Sequence, residues 1–178
     1  MSDKRQTVVI FEGCDKVGKT EMARELSRRL DVPYFKNKSE WKAFSSDPEY
    51  FVKALRYGDP YFYTFLRDTR TSAILDRSYP SEWVYSKVYG RKTDESALEF
   101  IDSLTSSFGV KIVIPYRSSY MGLKDDIHDI GEDHLQRLSD TYATFAKWTK
   151  CEVLRFCIDS EDLEWEMDTI QKFLKRGT

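Results

Sequence analysis

No apolar run in the 178-residue chain approaches the ~18 residues that span a bilayer. Met1 to Gln6 is polar and lacks the apolar core of a signal peptide. Cysteine is scarce. Cys14, Cys151 and Cys157 are an odd number with no C-x-x-C spacing, which argues against a disulfide framework and for a reducing compartment. The two histidines, His128 and His134, form no familiar zinc spacing with them. Neither charge sign dominates: 28 Lys+Arg stand against 30 Asp+Glu, a formal net charge of -2. Such a balance does not hold a nucleic-acid duplex by charge alone, although it leaves room for a local basic site. The expectation is a soluble cytoplasmic protein with no membrane partner.

What is present is aromatic. Phe, Trp and Tyr make up 15% of the chain, which excludes disorder. The length suits a single domain over residues 1–178 that buries roughly 70% of its unfolded surface, so neither a disulfide nor a structural metal is needed for folding. Short β-branched or apolar runs at 7–11, 72–75, 110–116 and 153–158 predict strands, with a further short one at Tyr34-Phe35. Between them, apolar residues recur at helical spacing over 22–30, 81–89, 94–106, 132–148 and 163–174. Asp47-Pro48 reads as a helix start, Gly58 as its end, and Asp59-Pro60 as the start of another helix. Residues 117–131 have no clean period and read as a lid. Alternating strands and helices predict an α/β fold with a parallel sheet.

Gly13-Cys14-Asp15-Lys16-Val17-Gly18-Lys19-Thr20 matches G-x-x-x-x-G-K-[ST] at every fixed position, between a buried strand and an amphipathic helix. Gly13 and Gly18 let the backbone curl so that its N–H groups face phosphate oxygens. The following helix adds its positive end. Lys19 then reaches the β/γ-phosphates of ATP, and Thr20 ligates Mg²⁺. Asp76 closes the third strand, where a carboxylate can hold Mg²⁺ through water. Arg77 follows it, placed to grip a phosphoryl group bidentately.

The segment from Phe11 to Thr20 resembles the thymidylate kinase phosphate loop, FEGxDxxGK[ST], and Asp76-Arg77-Ser78 with the residues to Tyr85 resembles that family's DR(Y/H) segment. The element order from Thr7 to Leu174 is similar as well. This resemblance implies a P-loop nucleoside/nucleotide kinase fold with a five-stranded parallel sheet of order 2-3-1-4-5. The implied reaction is phosphoryl transfer from ATP to a deoxynucleoside monophosphate, with dTMP or a modified deoxypyrimidine as acceptor. It assigns Asp15 to the acceptor's 3′-hydroxyl and to the support of the phosphate-binding arginines. Lys16 is a basic loop residue paired with an arginine-free lid, since 124–133 holds five carboxylates and no arginine. Such a cation offsets charge on the transferring phosphoryl.

The resemblance also implies an acceptor pocket with a stacking Phe, either Phe62 or Phe65, and a phosphate-binding Arg, either Arg67 or Arg70. Tyr85 falls where the family packs an aromatic ring against the deoxyribose. Glu82 replaces a customary Gly, which suits a modified base or a sugar hydroxyl. Arg117 is a candidate for the donor nucleotide or the lid. Deoxynucleoside kinases resemble the chain too. They carry a catalytic carboxylate just after the second strand, where this chain reads Tyr34-Phe35-Lys36-Asn37, with Glu40 further on. A nucleotide-binding regulatory protein without turnover is a third reading. Whether the chain is a monomer or a homodimer stays open.

Overall fold

A computed structural model describes residues 6–36, 49–122 and 131–176. In chain order its elements are β1 (Val8–Phe11), α1 (Lys19–Leu30), β2 (Tyr34–Lys36), a single helical turn α2 (Tyr50–Lys53) and a π-helical turn (Ala54–Gly58). Then come α3 (Asp59–Thr69), β3 (Ala73–Asp76), α4 (Tyr79–Tyr89), α5 (Glu95–Ser107), β4 (Lys111–Tyr116), α6 (Glu132–Trp148), β5 (Glu152–Cys157) and α7 (Leu163–Lys175). Each predicted strand is present to within a residue.

β1 is at most 3% exposed at every residue, because all four are apolar and both faces are covered. It pairs in parallel with β3 and with β4; β2 joins β3, and β5 joins β4. The order is therefore β2-β3-β1-β4-β5, as expected. α1 packs on β3 and α7, while α3, α4, α5 and α6 pack among themselves on further contacts. The carboxyl ends of the strands, at Phe11, Lys36, Asp76 and Tyr116, line one edge, which is where such sheets bind ligands.

One boundary differs from expectation. Gly58 does not end a helix: its backbone is right-handed helical (φ -76°, ψ -58°), and the chain passes through the π turn directly into α3. Pro60 supplies the reason. It cannot donate to the carbonyl four residues earlier, and its ring crowds that carbonyl. The wider turn, in which Asp59 N–H donates to Ala54 O, accommodates it. The predicted start at Asp47-Pro48 lies outside the described residues.

The course of α3 governs everything near the ligand edge. Gln6 Nε2 donates to Leu66 O at 2.7 Å and to Thr71 O at 2.9 Å, tying the end of α3 to the amino ends of the strands. Tyr63 OH meets Ser78 Oγ just beyond the carboxyl end of β3. α3 therefore runs away from the ligand edge, and only its first turns reach it. Leu66 is 1% exposed and its neighbour Phe65 is 48% exposed. Leu66→Ala is expected to cost about 2–5 kcal/mol, and Phe65→Ala under about 1 kcal/mol, on the usual scale for buried and exposed apolar truncations. Urea midpoints at constant slope check this pair, and equal losses would overturn the assigned helix face.

Candidate functional site

The loop after β1 turns on residues with unusual backbone angles. Gly13 has φ 133°, and a Cβ there would come within 3.0 Å of Pro115 O on β4. No larger residue fits so close to that strand. Lys16 and Gly18 are left-handed, with φ 63° and 66°. Gly18 caps α1 with no side-chain hydrogen bond, so the cap position itself supplies no acceptor to the positive start of the helix. Cys14 and Val17 point inward and anchor the loop, at 1% and 0% exposure. Cys14 Sγ donates to Tyr120 OH at 2.9 Å, and burial pushes the thiol pKa up.

Lys19 opens α1 and is buried. Its Nζ donates to Cys14 O and lies 3.8 Å from Asp15 Oδ1. Burial, followed by the charge of Arg77, lowers its pKa to about 8, although Asp15 pulls the other way. Thr20 Oγ1 donates to Asp76 Oδ2 at 2.6 Å, and Tyr34 OH reaches the same oxygen at 2.9 Å. Burial alone would raise the Asp76 pKa. The hydrogen bonds from Thr20 and Tyr34 and the charge of Lys36 prevail and hold it below the usual carboxylate value. A hydroxyl and one carboxylate are hard oxygen donors of the kind Mg²⁺ takes when phosphates and water complete its shell, so these residues fit that ion. Among the described residues no group of three or more His, Cys, Asp and Glu forms an all-protein metal site.

Asp15 and Arg77 face each other across the loop and form an ion pair. Arg77 is left-handed (φ 72°), a costly angle for a side chain of this size. Its surroundings hold it there: Arg77 N–H donates to Phe11 O at 3.0 Å, and Nη1 lies 3.4 Å from both Ser81 Oγ and Tyr142 OH. Beneath it sits Glu12, fully buried, which reading the sequence did not select. Glu12 accepts from Ser78 N–H (2.7 Å), Ser81 Oγ (2.7 Å) and Tyr142 OH (2.9 Å). Burial raises its pKa against the opposing charge of Arg77. The signal was its place between Phe11 and Gly13, but only the fold shows that three donors from two helical segments converge on it.

Tyr85 packs beside this pair, with the Arg77 guanidinium 5.5 Å from its ring centre. Phe62 lies against Phe35, beyond β2, with ring centres 5.8 Å apart. The remaining acceptor candidates lie elsewhere on the helix. Phe65, Arg67 and Arg70 lie on the later turns of α3, which point to the amino ends of the strands. Arg67 is paired with exposed Asp68, and Arg70 is the exposed left-handed cap of α3. The arginine that Asp15 orders is Arg77. Glu82 is 6% exposed and held bidentately by Arg91, at 3.1 and 2.5 Å; Arg91 in turn lies 4.3 Å from the Phe51 ring centre. Nearby Asp59 is pushed up to about 7, by burial and then by the charge of Glu82.

Of the expected lid, residues 123–130 lie outside the described residues. Its first part packs on the phosphate loop: Arg117 Nε donates to Lys16 O at 3.0 Å, and Nη2 donates to Glu161 at 2.6 Å. Lys16 is exposed beside it.

The lowered pKa of Lys19 generates a pH test. In the free protein the ammonium loses its proton as pH rises through about 8. A bound polyphosphate favours the charged form and raises that pKa, so binding above pH 8 takes up a proton. ADP affinity is expected to fall by up to about tenfold per pH unit above 8. Calorimetry in buffers of differing ionisation enthalpy should show proton uptake at pH 9 and almost none at pH 6.5. Equal uptake at both would remove Lys19 from the phosphate site.

No family model and no curated protein matches the chain. Solved structures do. The YorR protein from Bacillus subtilis, in complex with phosphorylated GDP, superposes with a TM-score of 0.69 at 20% identity, over 95% of this chain and 96% of that one. Deoxyadenosine kinase from M. mycoides with bound dATP superposes with a TM-score of 0.55 at 19% identity, over 94% and 98%. Thymidylate kinase from Ehrlichia chaffeensis gives 0.50 at 20% identity, over 96% and 98%. At this identity the likeness concerns the fold, which agrees with the expected sheet order and the phosphate loop of the resemblance. The chain has the fold of the thymidylate kinase-like P-loop nucleoside and nucleotide kinases.

Proposed function

We propose that the protein transfers the terminal phosphoryl group of ATP to a deoxynucleoside monophosphate, with dTMP or a related deoxypyrimidine monophosphate as acceptor. The observation that carries this reading is the Asp15–Arg77 pair, set beside Lys19, Thr20 and Asp76 at the carboxyl edge of the sheet. A guanidinium fixed there supports an acceptor phosphate facing the donor. A monophosphate brings about two negative charges and needs such a cation. The last residue of β2 is Lys36, a cation, next to the region where a nucleoside kinase keeps its general base.

In this reading Lys19 and the start of α1 bind the donor phosphates, and exposed Lys16 offsets charge on the phosphoryl in flight. Mg²⁺, held by Thr20 and Asp76, would neutralise charge between the phosphates of ATP. Asp15 holds Arg77 in its strained conformation, and Glu12 fixes the turn that carries it. Tyr85 walls the sugar side of the acceptor, and Phe62 supplies the aromatic surface for the base.

One observation favours a second reading. The Asp59 carboxyl opens α3, whose first turns reach the ligand edge, and burial followed by the charge of Glu82 raises its pKa to about 7, which suits a general base taking the proton of a nucleoside 5′-hydroxyl. A coupled ADP-release screen with ATP and Mg²⁺ across deoxynucleosides and their monophosphates separates the two. Turnover on monophosphates and not on free nucleosides is expected; turnover on thymidine without dTMP would select the second reading.

Two variants test the roles. Lys19→Ala is expected to lower kcat about 10²–10³-fold, as for loss of one preorganised charge stabiliser, with a circular dichroism spectrum like that of the parent. Arg77→Ala should raise the acceptor KM and lower kcat together while ATP affinity holds. A defect confined to ATP affinity would place Arg77 on the donor side instead.

A further inference from the structure

Lys36 ends β2, on the edge strand of the sheet. Its Nζ donates to Thr20 Oγ1 at 2.8 Å and lies 3.3 Å from Asp76 Oδ2. These are the two groups whose chemistry suits a magnesium ion. The Thr20 hydroxyl spends its only proton on Asp76, so it can offer a cation nothing but lone pairs, and Lys36 takes one of them. Asp76 Oδ2 already accepts from Thr20 and Tyr34. A divalent ion and the Lys36 ammonium therefore claim the same oxygens. Asp76 is 2% exposed and Lys36 33%, so water screens the repulsion between the two cations only from the lysine side.

We propose that Lys36 is an exchangeable counter-ion of the metal site: its ammonium and the divalent ion hold the Thr20–Asp76 pair in turn, so Lys36 sets how tightly the metal–nucleotide complex binds. The two lysines around the site differ in the way this requires. Lys19 is 7% exposed and tied to the Cys14 carbonyl, whereas the Lys36 side chain is 33% exposed at the end of a three-residue edge strand. Its flexible stem lets the ammonium leave for solvent without disturbing the sheet. Tyr34, two residues earlier, keeps its own bond to Asp76 during the exchange and so preserves the carboxylate's orientation.

This inference rests on the phosphate-loop reading, and its test separates the two. The probe is Mn²⁺ with ADP, and free Mn²⁺ is read by electron paramagnetic resonance on the full chain. Lys36→Met keeps the length of the stem and removes the charge; Lys36→Arg keeps the charge. Lys36→Met should bind Mn²⁺–ADP about three- to fivefold more tightly than the parent, the scale of an ion pair open to solvent on one side. Lys36→Arg should stay within about twofold of the parent, as a retained charge of the same class would. In EDTA, Lys36→Met should melt below the parent and gain more on adding Mn²⁺–ADP, because Asp76 then lacks its cation until the metal arrives. Unchanged or weaker Mn²⁺ affinity in Lys36→Met overturns the exchange while leaving the phosphate loop in place. If even the parent fails to bind Mn²⁺–ADP, both readings fall.

Discussion

A buried ammonium group organises the carboxyl edge of this sheet. Lys19 cannot stay charged out of water without partners, and those partners are the loop itself: the Cys14 carbonyl and the Asp15 carboxylate. Asp15 in turn holds Arg77, and the position of Arg77 depends on the turn that Glu12 pins through Ser78 and Ser81. Two buried cations this close repel each other, which is part of why the Lys19 pKa falls. An added polyanion relieves that repulsion, so the cluster is electrostatically incomplete in the sense an anion would satisfy.

The cluster has two sides. Thr20, Asp76, Tyr34 and Lys36 form a network of oxygens around one half-exposed ammonium. Asp15, Arg77, Tyr85 and Tyr142 form a rigid one, held by a left-handed arginine that the surrounding hydrogen bonds over-determine. A fixed guanidinium on one side and a hydroxyl–carboxylate pair on the other would suit the proposed phosphoryl transfer, where catalysis is mostly positioning and charge stabilisation. Strain in the Arg77 backbone is offset by the packing of α4 against α6 and the hydrogen bonds that Ser81 and Tyr142 make to Glu12.

The course of α3 shows how one helix direction separates residues that are close in sequence. Phe62, Phe65, Arg67 and Arg70 are close in sequence, and a single helix could bring any of them to a pocket. Gln6 and Tyr63 decide the matter by tying opposite ends of α3 to opposite edges of the sheet. Arg67 and Arg70 are thereby carried away, and Arg91, on the far side of α4, meets Glu82 instead. A buried glutamate paired bidentately to an arginine is costly to break, so that pairing fixes the start of α4 to the residues after its end.

The amino-acid sequence alone determined the strands, most of the helices, the sheet order implied by the resemblance, and the loop residues Gly13 to Thr20 with Asp76 and Arg77. These are local signals. A β-branched run must be buried, a G-x-x-x-x-G-K-[ST] spacing must curl, and a carboxylate at a strand end must sit at the ligand edge. Tertiary structure decided the contacts that depend on direction and distance. No local pattern announces that Pro60 forces a π turn rather than a break at Gly58. None shows that α3 turns Arg67 and Arg70 away, that Glu12 gathers three donors, or that Lys36 shares oxygens with Thr20 and Asp76. Those partners lie between 16 and 130 residues apart in the chain. Only the parallel pairing of β2 with β3 and the docking of α6 beside α4 bring them within a hydrogen bond's reach.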